Sequence, residues 1–222
     1  MGWVAKPSGQ YGLTSAECLA NVHEINMYLN SVGFTLEAQA GIVGNLFAES
    51  GMNPWRWQSD YVHLNGGYGL FQYTPASGYI NGATSLPHYS PNMSTSQQTT
   101  GATPEDGLCQ LICFYQDTLG KWNPYLWRSY WSPNDYPAEW SQAQRILLTY
   151  GTNGRLSMSQ FSQIDNVDDA TLAFLGCFEG PGQLHLQQRE TYADTLFPYL
   201  TADTPKKKMP LWMMCGSIKF LY

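Results

Sequence analysis

Charged side chains are scarce in this sequence, since they make up 13% of its 222 residues, about half of the roughly 25% that is usual for soluble domains. Long apolar runs are absent too: none approaches the roughly 20 residues that a membrane span needs, so no transmembrane segment is predicted. Basic residues are outnumbered, with 11 Lys and Arg against 17 Asp and Glu. The resulting formal net charge of −6 argues against nucleic-acid binding.

Cysteine is also rare. Five cysteines are too few for a disulfide scaffold, and an odd count leaves one unpaired. No Cys-x-x-Cys motif occurs and the four histidines are scattered, so neither a metal site nor another cofactor is predicted. The first residues lack the apolar stretch of a secretory signal, so we expect synthesis in the cytoplasm without a signal peptide.

Aromatic residues, by contrast, are abundant: they make up 14% of the chain, with 8 Trp and 15 Tyr. Together with a hydrophobic content of 43%, they exclude a disordered chain. A surface rich in aromatic rings and poor in charge suits a ligand with hydroxyl groups and apolar ring faces, such as a carbohydrate. An aromatic-rich core would give the same composition, so composition alone leaves both interpretations open.

The charges are distributed unevenly along the chain. Residues 1–205 hold seven basic and all seventeen acidic side chains, a formal net charge of −10, whereas the last seventeen residues hold four lysines and no acid. We therefore predict an N-terminal arm over residues 1–12, a folded domain over 13–200 and a basic and apolar tail over 201–222. The tail is expected to dock on a partner or a second copy, or to lie on a membrane surface. Packing on its own domain is the alternative.

Helical signals dominate the sequence. Thr14 and Glu17 form a capping box ahead of one helix, and a second helix runs from Leu36 to about Ser50, where Gly51 stops it. A further short helix is predicted to begin near residue 75. Apolar periodicity predicts four more helices, over about 105–119, 138–150, 169–179 and 184–199. Gly66-Gly67 opens a segment over residues 68–73 that is predicted to be a short strand or hairpin arm. The expected fold is therefore α+β, mainly α, with a small β-hairpin element beside the second helix.

Glu49 lies in the last turn of that second helix. Its carboxyl group meets the negative end of the helix dipole, and Trp55 and Trp57 follow closely enough to shield it from water. Both effects favour the protonated carboxyl, which a general acid needs at neutral pH. An ordinary solvated glutamate near a helix end is the other interpretation of the position alone.

The order of the residues around Glu49 favours the general acid. The segments concerned are Gly44-Asn45-Leu46-Phe47-Ala48-Glu49-Ser50, Asn53-Pro54 and Gly67-Tyr68-Gly69-Leu70-Phe71-Gln72-Tyr73-Thr74-Pro75. In this order they closely resemble the catalytic region of lysozyme-like muramidases, above all the lysozyme domain of phage tail lysins. Phe178-Glu179-Gly180-Pro181, together with Arg189, resembles the closing helix pair of that family. The resemblance covers roughly residues 13–200.

This resemblance implies a lysozyme-like fold and hydrolysis of the β-1,4 bond between N-acetylmuramic acid and N-acetylglucosamine in peptidoglycan. Glu49 would protonate the leaving glycosidic oxygen. Lysozyme is the type case of this chemistry, in which a second group acts on the opposite face of the sugar. Asp60 is one candidate for that group, as nucleophile or as base, unless it only forms an Asx turn in a loop. Gln72 or Thr74 would instead position water.

The remaining candidates would bind the sugar chain. The residues expected to line the cleft or to stack on sugar rings are Tyr68, Gln72, Tyr73, Thr74, Trp55 and Trp57. For the aromatic members of this set, packing in the hydrophobic core is the alternative. Glu179 is expected to cap a helix or to pair with Arg189 rather than to catalyse.

The resemblance also implies a place of action: the tail tip of a phage virion, acting on the host cell wall, with the protein made in the host cytoplasm. The tail over 201–222 would then contact other phage tail proteins. A lytic transglycosylase, or a tail structural or wall-binding protein with a lysozyme fold, remains an open alternative. A cysteine amidase built on Cys18 with His63 or His88, or a zinc hydrolase built on these histidines and Asp60, fits the sequence less well.

Overall fold

The computed structural model describes residues 2–7, 12–93 and 105–202, which fold into helices joined by turns and irregular segments. The α-helices of these residues are α1 (Ser15–Ser31), α2 (Leu36–Ser50), α3 (Ala76–Gly82), α4 (Asp106–Tyr115), α5 (Pro137–Thr149), α6 (Met158–Phe161), α7 (Val167–Phe174) and α8 (Leu186–Leu196). A turn of π-helix, Leu175–Glu179, extends α7. Two 3-10 helices cover Gln58–Asp60 and Phe197–Tyr199.

Helix α2 forms the centre of the fold. Every residue from Ala38 to Leu46 is buried, and α7 and α8 are its main packing partners. A helix that is buried on all sides is mostly apolar or small around its circumference, and the buried polar residues of this stretch, Gln39 and Asn45, form side-chain hydrogen bonds. In the last turn of α2, Ala48 is exposed and Glu49 is partly exposed.

Two glycines allow the neighbouring helices to approach α2 closely. A Cβ on Gly41 would lie 2.5 Å from the carbonyl carbon of Ala170 in α7, and a Cβ on Gly44 would lie 2.6 Å from the carbonyl oxygen of Arg189 in α8. Neither position has room for a side chain unless the helices move apart. Gly44 therefore sets the distance at which Arg189 meets the end of α2 that contains Glu49.

The prediction of an α+β fold with a β-hairpin element is wrong. The described residues contain no strand or sheet, and the helices account for the fold. The segment that was expected to form the hairpin makes one isolated antiparallel bridge, between Trp57 and Tyr68. A helical architecture replaces the expected mixed one.

Backbone torsion angles explain why no strand ladder forms. Gly69 and Gln72 have φ angles of 79° and 42°, so the chain reverses at once, and Tyr68 and Tyr73 exchange two backbone hydrogen bonds of 3.3 and 2.9 Å. On the other side of the bridge, Ser59 has a φ angle of 60°, which bends that segment away. A ladder needs several extended residues on both sides, and neither side supplies them.

Local helix signals are confirmed. The amide of Glu17 donates to Oγ1 of Thr14 at 3.3 Å, and the amide of Thr14 donates to Oε2 of Glu17 at 2.7 Å, which completes the capping box of α1. Helix α2 spans the predicted Leu36–Ser50 and ends at Gly51, whose φ angle is 58°. Helix α4 ends at Tyr115, earlier than its apolar periodicity predicts.

The structure describes contacts of the N-terminal segment with the folded domain but does not describe most of the C-terminal tail. Near the N-terminus, the backbone amide and carbonyl of Val4 bond the side chain of Asn21 in α1 at 2.8 and 2.7 Å. The predicted basic tail lies, from residue 203 onward, outside the described residues. Within the described ranges, no helix is long and apolar enough to cross a membrane.

Candidate active site

A cleft of about 350 Å³ opens at the end of α2 that contains Glu49. Its polar lining residues are Glu49, Gln58, Gln72, Thr74, Lys121 and Glu179, and its apolar and aromatic ones are Phe71, Tyr73, Phe178 and Pro181. These residues come from α2, the 3-10 helix Gln58–Asp60, the turn over residues 67–75, the segment after α4 and the π-helix with the residues that follow it. The cleft is therefore assembled only when distant parts of the chain have packed together.

Glu49 is held in place by a buried arginine. Nη2 of Arg189 donates a hydrogen bond of 2.6 Å to Oε1 of Glu49, and Nη1 donates one of 3.0 Å to Oδ1 of Asn45. The side chains of Arg189 and Glu49 are 7% and 22% exposed, so water screens this ion pair only partly. Asn45 is itself fixed, because its amide donates to the carbonyls of Gly41 and Thr171. Partners on α2, α7 and α8 thus orient the Glu49 carboxylate.

Glu179 places a second carboxyl group in the same cleft, at the end of the π-helix. Its Oε1 atom is buried and has no hydrogen-bond partner among the described residues. Burial raises the pKa of Glu179 well above its usual range, the charge of Glu49 raises it further, and Arg189 and Arg128 oppose this shift. The expected ion pair of Glu179 with Arg189 is not formed, because Arg189 is engaged by Glu49. The surroundings of Glu179 therefore favour its protonated form.

Arg128 holds the backbone that leads to Glu179. Its Nε donates to the carbonyl of Gly176 at 2.6 Å, and its Nη2 donates to the carbonyl of Phe178 at 3.4 Å. Gly180, with a φ angle of 55°, leaves room for this guanidinium, since a Cβ there would lie 2.8 Å from the Arg128 Cζ atom. Arg128 thus satisfies carbonyl groups at the end of the helix and fixes where Glu179 enters the cleft.

The turn over residues 67–75 forms another wall of the cleft. Nε2 of Gln72 donates to the carbonyls of Arg56 and Gly69 at 3.2 and 2.9 Å. Oγ1 of Thr74 donates to the Gln72 carbonyl at 2.9 Å, and Nζ of Lys121 donates to the Thr74 carbonyl at 2.8 Å. Gln72 and Thr74 thus contribute polar groups to the cleft from a backbone that is tied down on both sides.

A buried carboxylate supports this wall from behind. Asp106 is 2% exposed and accepts hydrogen bonds from the hydroxyls of Tyr68 and Tyr79 at 3.1 and 2.8 Å. It also accepts from Nε2 of Gln110 at 2.7 Å and from the amide of Ser90 at 2.9 Å. Four donors converge on one side chain, so the turn, α3 and α4 are joined through Asp106.

The comparisons with known proteins agree with this geometry. The family model of the phage tail lysozymes matches residues 20–200 of the chain. The chain belongs to the phage tail lysozyme family. It is also 40% identical over 72 residues to Morphogenesis protein 1 of Bacillus phage B103, a match that covers 32% of this chain. The matched stretch spans only 20% of the length of that relative.

In this phage tail lysozyme, the cleft brings together part of the predicted site. Predicted residues that line it are Glu49, Gln72, Tyr73 and Thr74. Predicted residues that do not line it are Asp60, Tyr68, Trp55 and Trp57. The division follows burial for the aromatic residues and an ion pair for Asp60.

The aromatic candidates mostly belong to the core. Trp57 is fully buried and its indole Nε1 donates to the carbonyl of Asn92 at 2.8 Å. Tyr68 and Tyr73 are 1% and 3% exposed, and the Tyr73 hydroxyl donates to the Gln110 carbonyl at 3.0 Å. Trp57 and Tyr68 therefore present no free ring face to a sugar in this structure, and Tyr73 reaches the cleft only with a small part of its surface.

Asp60 lies on the surface in the 3-10 helix Gln58–Asp60. Its Oδ1 accepts from Nη1 of Arg56 at 2.9 Å, and its side chain is 41% exposed. Trp55 is partly buried and packs against the hydrophobic core. Neither residue is among those that line the cleft with Glu49.

The other enzyme classes find little support in the geometry. Cys18 is buried against the carbonyls of Leu13 and Gly51, with its Sγ at 3.9 and 3.5 Å. Burial raises the pKa of Cys18, and the Glu17 carboxylate raises it further, whereas a nucleophilic thiol needs a lowered pKa. Among the described residues, no three His, Cys, Asp or Glu side chains come together as metal ligands.

Sequence reasoning names Arg189 and Glu179 but assigns neither to the site. Arg189 is the only basic residue of its predicted helix, and an arginine next to a family motif was the available signal. Glu179 was noted, but its burial depends on how the π-helix meets α2, which no local pattern encodes. Lys121 and Gln58 gave no signal at all.

Proposed function

We propose that the protein hydrolyses the β-1,4 bond between N-acetylmuramic acid and N-acetylglucosamine in peptidoglycan, with Glu49 as general acid. The observation that carries the proposal is a cleft in which Glu49 is anchored to Arg189 at 2.6 Å, beside the second carboxyl of Glu179. Membership of the phage tail lysozyme family supports the reaction class. The proposed substrate is therefore a glycan strand of the bacterial cell wall.

In the proposed reaction, the proton of Glu49 goes to the glycosidic oxygen while the bond from that oxygen to C1 breaks. The electron pair of the bond stays with the leaving oxygen, and C1 passes through an oxocarbenium-like state. Water then adds to C1, and its surplus proton returns to the carboxylate. Arg189 stabilises the negative charge that Glu49 carries after the transfer, through a charge-assisted hydrogen bond.

Gln72 and Thr74 are our candidates for holding the attacking water. Both line the cleft with Glu49, and both are fixed by backbone hydrogen bonds. Asp60 was the alternative, but its ion pair with Arg56 lies outside the cleft lining. The geometry therefore favours a polar uncharged group over Asp60.

We also propose that the enzyme is part of the phage virion, at the tail, and acts on the host cell wall. The family consists of tail lysozymes, and the relative in Bacillus phage B103 is named a morphogenesis protein. Contacts with other tail proteins through residues 201–222 remain a prediction, because most of that segment lies outside the described residues.

Digestion of purified peptidoglycan by the full chain, followed by mass analysis of the products, tests the reaction. Wild type should release new reducing muramic-acid ends, and Glu49→Gln should lower the rate by about 100-fold or more. Glu37→Gln is the matched control, because Glu37 is the other glutamate of α2 and lies at its opposite end. It should retain the wild-type rate.

Other products of the digestion would indicate a different function. Anhydro-muramic ends would make it a lytic transglycosylase, and free amino ends would contradict any glycosidase. Binding to cell walls without products would indicate a structural or wall-binding role. Asp60→Asn should stay within about twofold of wild type, and a loss as large as that of Glu49→Gln would instead assign Asp60 as the second carboxylate.

A further inference from the structure

Two buried atoms, one on a residue that lines the cleft and one on the arginine that binds Glu49, lack hydrogen-bond partners among the described residues. Nε of Arg189 is a donor and Oε1 of Glu179 is an acceptor. Leaving such groups unsatisfied is costly, so native proteins seldom do so without a functional reason. The donor belongs to the arginine that binds Glu49, and the acceptor belongs to the other carboxyl group of the same cleft.

The charges of these three side chains do not balance when both carboxyl groups are ionised. Arg189 forms its ion pair with Glu49, so a second negative charge on Glu179 would be buried without an ion-pair partner. Two carboxyl groups that share one site keep one proton between them, because both cannot ionise at little cost. The raised pKa of Glu179 agrees with this arrangement, in which the resting proton is on Glu179 and the resting charge on Glu49.

Other charged and titratable groups face Glu179 from the surrounding elements. Arg128, which precedes α5, is engaged with the carbonyls of Gly176 and Phe178. Lys121, in the segment after α4, donates to the Thr74 carbonyl at the cleft wall. Tyr73 is buried, and burial raises its pKa well above the usual range, so it stays neutral. Arg189 is therefore the cation whose position decides which carboxyl group is ionised.

We propose that Glu179 stores the proton that Glu49 delivers. When that proton moves to Glu49, the hydrogen bond of Arg189 moves from the Glu49 carboxylate to the Glu179 carboxylate. The inference rests on the proposed function of Glu49. Glu179 is a positioning residue in this scheme, since it acts through Glu49 and not on the sugar. The scheme also gives a partner to each unsatisfied atom, because Arg189 can bond Glu179 once Glu49 is neutral.

The proton balance of one turnover closes. Glu179 gives its proton to the Glu49 carboxylate and becomes the carboxylate that Arg189 binds. Glu49 then gives the proton to the glycosidic oxygen, which keeps the electron pair of the breaking bond. The water that adds to C1 releases one proton, which returns to the pair of carboxyl groups. The net change is hydrolysis, and Glu179 is again protonated.

Steady-state hydrolysis of peptidoglycan at pH values from 4 to 9 tests this scheme with three full-chain enzymes: wild type, Glu179→Gln and Glu179→Asp. Glutamine keeps the size of the side chain but cannot release a proton. Glu179→Gln should therefore lower kcat by about tenfold at pH 7, with KM nearly unchanged. The loss of rate at high pH should begin about one pH unit lower than in wild type, whereas activity at acid pH is kept.

Glu179→Asp retains a carboxyl group and should restore most of the pH profile. Glu190→Gln is the matched control, because Glu190 is a glutamate on α8 whose pKa is also raised, to about 7, but which does not line the cleft. Its pH profile should equal that of wild type. A merely structural role of Glu179 would instead lower the rate equally at every pH, and that result would overturn the scheme.

The two proposals fail in different ways. If Glu49→Gln is inactive while Glu179→Gln keeps the wild-type rate and pH profile, only the proton store is rejected. If Glu49→Gln is as active as wild type, the proposed function itself is rejected.

A measurement on an enzyme with Glu179 intact covers the case in which Glu179→Gln does not fold. In Glu190→Gln protein labelled with 13C at the glutamate Cδ atoms, one glutamic acid should remain protonated at pH 7. When this glutamic acid loses its proton at higher pH, the 13Cδ resonance of Glu49 should shift as well. The absence of any protonated glutamic acid at that pH would overturn the scheme.

Discussion

Arg189 and Glu49 are 140 positions apart in the sequence and are joined by a hydrogen bond of 2.6 Å. The bond connects the last turn of α2 to α8, and a second bond from the same guanidinium reaches Asn45 one turn earlier on α2. One side chain therefore packs two central helices together and orients the carboxyl group that we propose as general acid. Stability and activity are coupled at this position.

Replacement of Arg189 tests that coupling. Lysine keeps the positive charge, but it lacks the planar guanidinium group whose two Nη atoms bond Asn45 and Glu49. We expect Arg189→Lys to lower kcat by about tenfold with little change in KM. Arg189→Met should also lower the free energy of unfolding by about 1–3 kcal/mol, since it leaves Glu49 partly buried without its cation. Steady-state kinetics and urea unfolding measure the two effects, and wild-type kcat in Arg189→Lys would contradict the first.

Gly44→Ala tests the close approach of α8 to α2. The new methyl group would collide with the Arg189 carbonyl oxygen, so we expect a loss of about 1–3 kcal/mol in the free energy of unfolding. Gly78→Ala in α3 is the matched control, because nothing lies within 4 Å of the added Cβ. There the helix propensity of alanine should stabilise the protein by about 0.5–1 kcal/mol. Equal effects of the two substitutions would show that steric contact is not what requires Gly44.

Asp106→Asn tests the support behind the cleft wall. The Tyr79 hydroxyl donates to one oxygen of the Asp106 carboxylate and Nε2 of Gln110 donates to the other. In asparagine an NH2 group replaces one of these oxygens, so one of the two donors would face another donor. We expect a loss of about 2–3 kcal/mol in the free energy of unfolding. Asp135→Asn is the exposed control, with an expected change of less than about 0.5 kcal/mol. A change at Asp106 as small as at Asp135 would contradict the role of Asp106 as a buried junction.

The pH dependence of stability reports on Glu179 independently of catalysis. In the unfolded chain Glu179 ionises near its ordinary pKa of 4.5, whereas in the folded protein it keeps its proton to higher pH. Between these pKa values the folded state binds more protons, so the free energy of unfolding falls as pH rises, by up to about 1.4 kcal/mol per pH unit. Below pH 4.5 this contribution is fully present, and it is lost as pH rises through the folded pKa.

Glu179→Gln cannot lose a proton, so its stability relative to wild type should increase from pH 5 to pH 8. Urea unfolding at each pH measures this difference. Glu190→Gln should show a similar gain that levels off once pH exceeds the raised Glu190 pKa of about 7. A difference between Glu179→Gln and wild type that does not change with pH would contradict a buried, protonated Glu179.

Some of the fold was predictable because its signals are local. The capping box of Thr14 and Glu17 and the stop at Gly51 involve residues within one helix turn, and the structure confirms them. The hairpin could not be excluded in this way. A strand was predicted over residues 68–73, but positive φ angles at Gly69 and Gln72 turn the chain back before a ladder can form.

By itself, the sequence determined most of the longer helices, where Glu49 lies on one of them, and the motif order that marks the phage tail lysozyme family. These properties depend on neighbours along the chain. Only the tertiary structure decided that Arg189 binds Glu49, that the Oε1 atom of Glu179 is buried near them, and that Trp57 is in the core. Burial and ion pairing join residues far apart in the sequence, so they depend on how helices pack and not on any local pattern.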